Sequence, residues 1–414
     1  MPESILSIDN CLLKFMLLQY NPNMMRNKLL SKSVKFQMIF LILLISMSGY
    51  ARKFYVSTNG SNNNDGTELS PWKDIAFACN YSKFVLGDTI SIGVGTFIET
   101  EVCQIPCGIN LIGSGTGNTI IKSSKSPVLF LENCQNPSNR QHIAGFSLDG
   151  QNKLAGEVGL EVRKVYGIFI HDIVVENFKG NGNGGGINLS YADNCNVYNC
   201  TLKNNAGESI NECGGNLGVG ELNNCNFYNL FIQSDNAYGI KTSITAANVI
   251  KNTKFFNIHI EVSPNSCSHW NNIAFELYGI HCQNVKIFNC YMNNVLSLSP
   301  FSVHTISNKS VEIYNNHFQI PNSINAYAIE ATVDNLNIHN NYFEGGLYPI
   351  ASWENSPILN NILIHHNVFD NQNGPTGIIH MPGGVTNSSF YNNTVVLRTP
   401  IRCFNLKNGS DCIY

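Results

Sequence analysis

Lys241, Glu276, His304 and Glu330 are the residues whose types and spacing could do chemistry. Each follows an apolar residue in a short stretch that recurs along the chain. The stretches read Ile187-Asn188, Ile240-Lys241, Phe275-Glu276, Val303-His304, Ile329-Glu330, Ile350-Ala351 and Ile379-His380. Neighbours in an extended strand point to opposite faces, so the second member of each pair points outward. If successive pairs stack as adjacent strands, Lys241, Glu276, His304 and Glu330 line one face, with His380 two coils beyond. Glu276 and Glu330 would then stand two strand spacings apart, about 9–10 Å at the backbone. Inverting glycosidases hold their acid and base carboxyls about 6.5–9.5 Å apart to admit a water. The pair therefore predicts glycoside hydrolysis. Glu330, between His304 and His380, would be the base and Glu276 the acid, or the order is reversed. The other chemistry open to the row is β-elimination on a uronate, with Lys241 or His304 abstracting the proton α to the carboxyl. That reaction needs a positive clamp on the substrate carboxylate. The alternatives without catalysis are a glycan-binding or surface-adhesion solenoid that uses the aromatic residues alone, and a polar face that keeps the protein in solution.

Substrate-binding candidates surround the row. Trp270, Tyr278, Tyr348 and Trp353 could stack on sugar rings, and Asn188 and His380 extend the polar line at its ends. Stretches 205–221 and 261–272 are long enough to wall a groove.

These strands require a repeating scaffold, and the sequence contains one. GIFIHDIVV (167–175), CNVYNCTL (195–202), CNFYNLFI (225–232), TKFFNIHI (253–260), VKIFNCYM (285–292), VEIYNNHF (311–318), LNIHNNYF (336–343), ILIHHNVF (362–369) and SSFYNNTVV (388–396) share one pattern. The central polar positions are His171, Asn199, Asn229, Asn257, Asn289, Asn315, Asn340, His366 and Asn392, separated by 25 to 32 residues. A fixed period of that size marks a solenoid. Alternation with period two inside each segment marks strands. The expected fold is all-β: a right-handed parallel β-helix of about 11–12 coils.

The N-terminal part carries its own signal. Phe54-Tyr55-Val56-Ser57-Thr58-Asn59-Gly60 reads as a strand. Ser70 as N-cap and Pro71 at the first helical position predict a helix with Trp72, Ile75, Ala76 and Cys79 on one face. Such a helix would cap the open end of a solenoid. FYVSTNGSNNNDGTELSPWKDIAFAC, GDTISIGVGTF at 87–97 and Gly145-Phe146-Ser147-Leu148-Asp149-Gly150 resemble the opening coils of secreted proteins of the pectin-lyase-like superfamily. With the repeats, the resemblance covers most of residues 52–400. It implies a polysaccharide or oligosaccharide partner bound in a groove along one face, and calcium as a cofactor if the reaction is a lyase one. No other cofactor is expected. The adjacent aspartates and Gly-His-Gly of the polygalacturonase-like members are not in this sequence. The clustered aspartates of the pectate-lyase-like members are replaced by Asp172, Asp193, Asp235 and Asp334, placed singly, with Arg163 alone.

Composition agrees with stacking. Only 13% of the 414 residues are charged, about half the usual quarter, whereas Asn numbers 61. Identical positions lie about 4.8 Å apart in stacked coils, where a charge repels its own copy and an amide can bond to it. The net charge of −3 gives no footprint for nucleic acid. Arg26, Lys28, Lys32 and Lys35 precede the apolar run Met38–Met47, and Ser48-Gly49-Tyr50-Ala51 follows. This reads as a signal peptide with cleavage near Ala51, since the run is too short for the about 20 residues of a membrane span. Residues 1–51 are thus an N-terminal extension and signal peptide. Residues 52–414 form one β-helix domain: strand and capping helix at 52–90, coils at 88–400 and a tail at 401–414. The mature protein is expected to be a secreted, periplasmic or cell-surface monomer with no transmembrane anchor. Thirteen cysteines would remain after cleavage, an odd number that argues against full pairing and suits core filling.

Overall fold

The computed structural model describes residues 51–414, except 152–157, 179–184, 206–207, 210–211, 214, 235–237, 243–248, 264–272, 279–280, 300–309, 321–326, 347, 353–355, 373–377, 398–402, 407–411 and 414. The basic run and the apolar run at 38–47 therefore lie outside the described residues.

Alternating apolar residues make the strands, and a left-handed residue makes a corner between two of them. Asn199, Asn229, Asn257, Asn289, Asn315, Asn340 and Asn392 all have φ between 53° and 55°. Asn reaches this region at low cost because its short polar side chain bonds locally. In the coil before Asn199 the corner is Asp172 at φ 51°, and His171 pairs with Tyr198 instead. The register expected there shifts by one residue, because His171 and Asp172 are both polar.

Strands of successive coils pair in parallel and form three sheets. The first sheet stacks twelve strands from Cys103–Gln104 to Phe404–Leu406. The second runs from Lys53–Val56 to Cys412–Ile413. The third runs from Gly95–Glu99 to Thr394–Leu397. The left-handed corner joins the second sheet to the third. The expected parallel β-helix is the fold.

Inward side chains repeat their neighbours one rung away. Phe318, Phe343 and Phe369 stack with ring centroids 5.0 and 4.8 Å apart, and all are fully buried. Just after the corner, buried Asn316, Asn341 and Asn367 form an amide ladder, each Nδ2 lying 3.0 Å from the Oδ1 of the next Asn.

The cap is shorter than expected. The helix spans only Ile75–Cys79, with Asp74 in the N-cap position, and Ser70 and Pro71 lie before it. Trp72 forms a parallel bridge with Val56 and stacks on Phe54. Sheet pairing thus claims the residues that would have formed the first helical turn. The buried Glu99 carboxylate compensates by accepting the N–H groups of Ile75 and Ala76 at 2.8 and 3.0 Å. Such donors at a helix start have no partner within the helix.

Among the described residues one disulfide, Cys107–Cys134, joins neighbouring coils across a Cα–Cα distance of 5.3 Å. Cys79, Cys103, Cys195, Cys200, Cys225, Cys282 and Cys290 are buried free thiols. No helix among the described residues is long and apolar enough to cross a membrane.

Candidate active site on the first sheet

Backbone pairing in the first sheet sets the register of the outward row. Asn188 pairs with Gly218, Gly218 with Lys241, and Lys241 with Glu276. Glu276 pairs with Ser297, Ser297 with Glu330, Glu330 with Ala351, and Ala351 with His380. Lys241, Glu276 and Glu330 therefore share a window of four rungs. Asn188 lies two rungs before it and His380 two rungs after.

One rung differs from expectation. Leu296-Ser297, not Val303-His304, stands between Phe275-Glu276 and Ile329-Glu330. Both dipeptides satisfy the apolar–polar alternation, so alternation alone could not separate them. His304 lies outside the described residues, as do Trp270 and Trp353. Tyr278 ends the strand Ile273–Tyr278, opposite Ser299. His380 is half-buried, its ring 5.0 Å from that of Tyr348.

The row is drawn back from solvent although its backbone faces outward. Lys241 is 7% exposed and Glu330 5%. Glu276 is half-buried. Tyr238, two residues before Ile240, joins Ile273, Val295 and Tyr327 in a small apolar cluster separate from the main core. The Lys241 Nζ sits 5.2 Å from the centre of the Tyr238 ring, a favourable cation–π position.

This environment sets the protonation states. Burial pushes the Glu276 carboxyl up to about 7; Lys241 opposes the rise and Glu330 adds to it. Burial, then the charges of Glu276 and Glu330, also push the Tyr238 phenol up. An acid near neutrality can hold a proton and release it at working pH, as a general acid must. Glu330 stands two rungs away across Ser297, about 9–10 Å at the backbone.

The shift has a consequence for stability. A carboxyl whose folded pKa exceeds its unfolded value binds its proton more tightly when folded, so its contribution to stability falls as pH rises from about 4.5 to about 7. Glu276→Gln should therefore narrow the difference between urea midpoints measured at about pH 5 and about pH 8. An undiminished difference would mean that another group carries it.

Tyr238 and Ser297 were not among the expected residues. Tyr238 had a signal in the repeat Tyr-x-Ile before a row position: Tyr238-Gly-Ile-Lys241, Tyr327-Ala-Ile-Glu330 and Tyr348-Pro-Ile-Ala351. Ser297 carried none, being one of several serines after leucine. Among the described residues no three His, Cys, Asp or Glu side chains are grouped to hold a metal ion.

Three sheets of parallel strands with a left-handed Asn corner define a parallel β-helix, and solved structures share that architecture. The chain is similar to the tailspike of Pseudomonas phage phi297 (TM-score 0.56, 12% identity), over 75% of this chain and 66% of that one. It is also similar to DFA-IIIase from Arthrobacter chlorophenolicus A6 without its lid (TM-score 0.56, 11% identity), over 84% of this chain and 99% of that one. A third is PfbA, a surface adhesin of Streptococcus pneumoniae (TM-score 0.50, 12% identity), over 78% of this chain and 85% of that one. No protein-family model matches the sequence, and no curated protein matches it either.

Proposed function

We propose that the chain is an exported carbohydrate-active protein that cleaves a polysaccharide by glycoside hydrolysis on the outer face of the first sheet. The observation that carries this reading is Glu276, with a carboxyl raised to about 7, two rungs from the buried Glu330. Glu276 acts as general acid on the leaving oxygen, and Glu330 activates the water. Tyr238 shapes the apolar pocket that keeps Glu276 protonated, and Lys241 fixes the charge balance. Likeness to DFA-IIIase over nearly all of that chain supports an enzyme on this solenoid. The Cys107–Cys134 disulfide supports export to an oxidising compartment.

The test is an assay of the chain from residue 52 on a polysaccharide panel, following both reducing ends and the absorbance of unsaturated uronates. New reducing ends without that absorbance are expected. Absorbance would establish elimination, with Lys241 or His304 as the candidate base. Retention of a polysaccharide with no cleavage would establish the binding-only role that likeness to a surface adhesin favours.

A further inference from the structure

We propose that the corner between the second and third sheets, around Asn289, Asn315 and Asn340, is a second carbohydrate site that holds a neutral glycan segment. It lies on different strands from Lys241, Glu276 and Glu330 and does not depend on their being catalytic. A shallow groove of about 620 Å³ runs along the solenoid there, past Tyr291, His317 and Tyr342.

The outer corner side chains bond to their neighbours in the coils before and after one stretch of the solenoid. Asn199 donates to Asp172 at 3.2 Å, Asn229 to Asn199 at 3.1 Å and Asn257 to Asn229 at 3.4 Å. The chain of bonds then stops, and Asn392 resumes it by reaching His366 at 3.2 Å. Between these points Asn289, Asn315 and Asn340 are exposed, and among the described residues their amides make no side-chain hydrogen bond. Those three amides line the groove. Each offers a donor pair and an acceptor, the complement of a sugar hydroxyl.

The rings beside them behave in the same way. On the second sheet, nine outward rings from His171 to Tyr391 stack nearly parallel, so their faces are covered and only their edges are open. On the third sheet, Phe231, His259 and Tyr291 stack similarly, with interplanar angles of 18° and 19°. His317 then turns by 85° against Tyr291, and Tyr342 lies at 69° to His317. Glu344 holds His317 in that orientation through a contact of 3.1 Å with Nε2. The turn leaves the faces of His317 uncovered by its neighbours in the column. An uncovered aromatic face carries negative quadrupole and attracts the C–H face of a sugar ring.

The break in the amide bonds and the break in the ring stack fall on the same coils. A chain laid along the axis would meet an amide and a ring at every rung, about 4.8 Å apart. The groove holds no Lys or Arg, and Tyr342 donates its hydroxyl to Asp370 at 2.9 Å on the adjoining rung. A neutral sugar suits this lining and a uronate does not.

The test is calorimetric titration of the chain from residue 52 with cellohexaose, xylohexaose, laminarihexaose and, as the acidic control, hexagalacturonate. The variants are Asn315→Gly with Asn340→Gly, which keeps the left-handed corner without strain, and His317→Leu. At least one neutral hexaose should bind, and both variants should weaken it about tenfold while Asn199→Gly, at the same corner outside the groove, leaves it unchanged. No binding by any neutral hexaose, binding by hexagalacturonate alone, or unaltered affinity in both variants would overturn the proposal. Failure of every form to cleave any glycan would remove the hydrolase reading and leave this one standing.

Discussion

Glu276→Gln and Glu330→Gln should each lower kcat on the cleaved polysaccharide by about 10²–10⁴-fold, the usual worth of one acid–base group. Binding should change little, because Gln keeps the shape and loses only the proton transfer. The two variants should differ in their pH behaviour. In the unmodified protein the rate should fall as pH rises through about 7, where Glu276 loses its proton. That alkaline limb should vanish from the residual rate of Glu276→Gln and persist in Glu330→Gln. Tyr238→Phe offers a further check. It keeps the apolar pocket, so the limb should stay near its place, whereas Tyr238→Ser admits water and should move the limb toward lower pH. Full activity in both Gln variants would remove these carboxyls from the mechanism.

The parts of this protein that repeat were legible in its sequence, and the parts that occur once were not. Period-two alternation and a recurring Asn specify strands and corners, because each coil must satisfy its neighbours at the same positions. Lys241, Glu276 and Glu330 could be registered for that reason, from the apolar residue before each. Ser297 and His304 show where this ends: each follows an apolar residue, and only backbone pairing decides which shares the row. His171 and Asp172 present the same ambiguity at the corner. The capping helix fails differently. Ser70 and Pro71 are good local signals, but bridge pairing of Trp72 with Val56 overrides them. The cysteines are the subtlest case. Their burial agrees with core filling, yet several also act as polar groups at the corner where the amide ladder runs.

That role leads to the largest stability effect expected here. Asn341 is buried, and its Oδ1 accepts both the backbone N–H and the Nδ2 of Asn316 at 3.0 Å. Its Nδ2 donates to the Ile313 carbonyl at 2.9 Å and to Asn367 at 3.0 Å. Asn341→Ala leaves the Asn316 N–H without an acceptor inside the core and should cost about 2–4 kcal/mol. Cys290 occupies the same position earlier in the ladder. Its thiol donates to the Phe288 carbonyl at 3.3 Å, with the Phe255 carbonyl 3.8 Å away. Cys200 repeats the arrangement against the Tyr198 and Ile170 carbonyls, at 3.2 and 3.9 Å. A thiol can therefore take over the amide's donor role toward the carbonyls at this corner, and Asn341→Cys should cost less than Asn341→Ala. Coils of a solenoid contact only their neighbours, so the loss should be local. Hydrogen exchange should quicken first in the coils of Asn316 and Asn367, while the coils near Asn199 stay protected. Urea unfolding of the two variants decides the matter. Equal destabilisation by Ala and Cys would show that the position requires an amide, and that the cysteines fill space in the core and do no more.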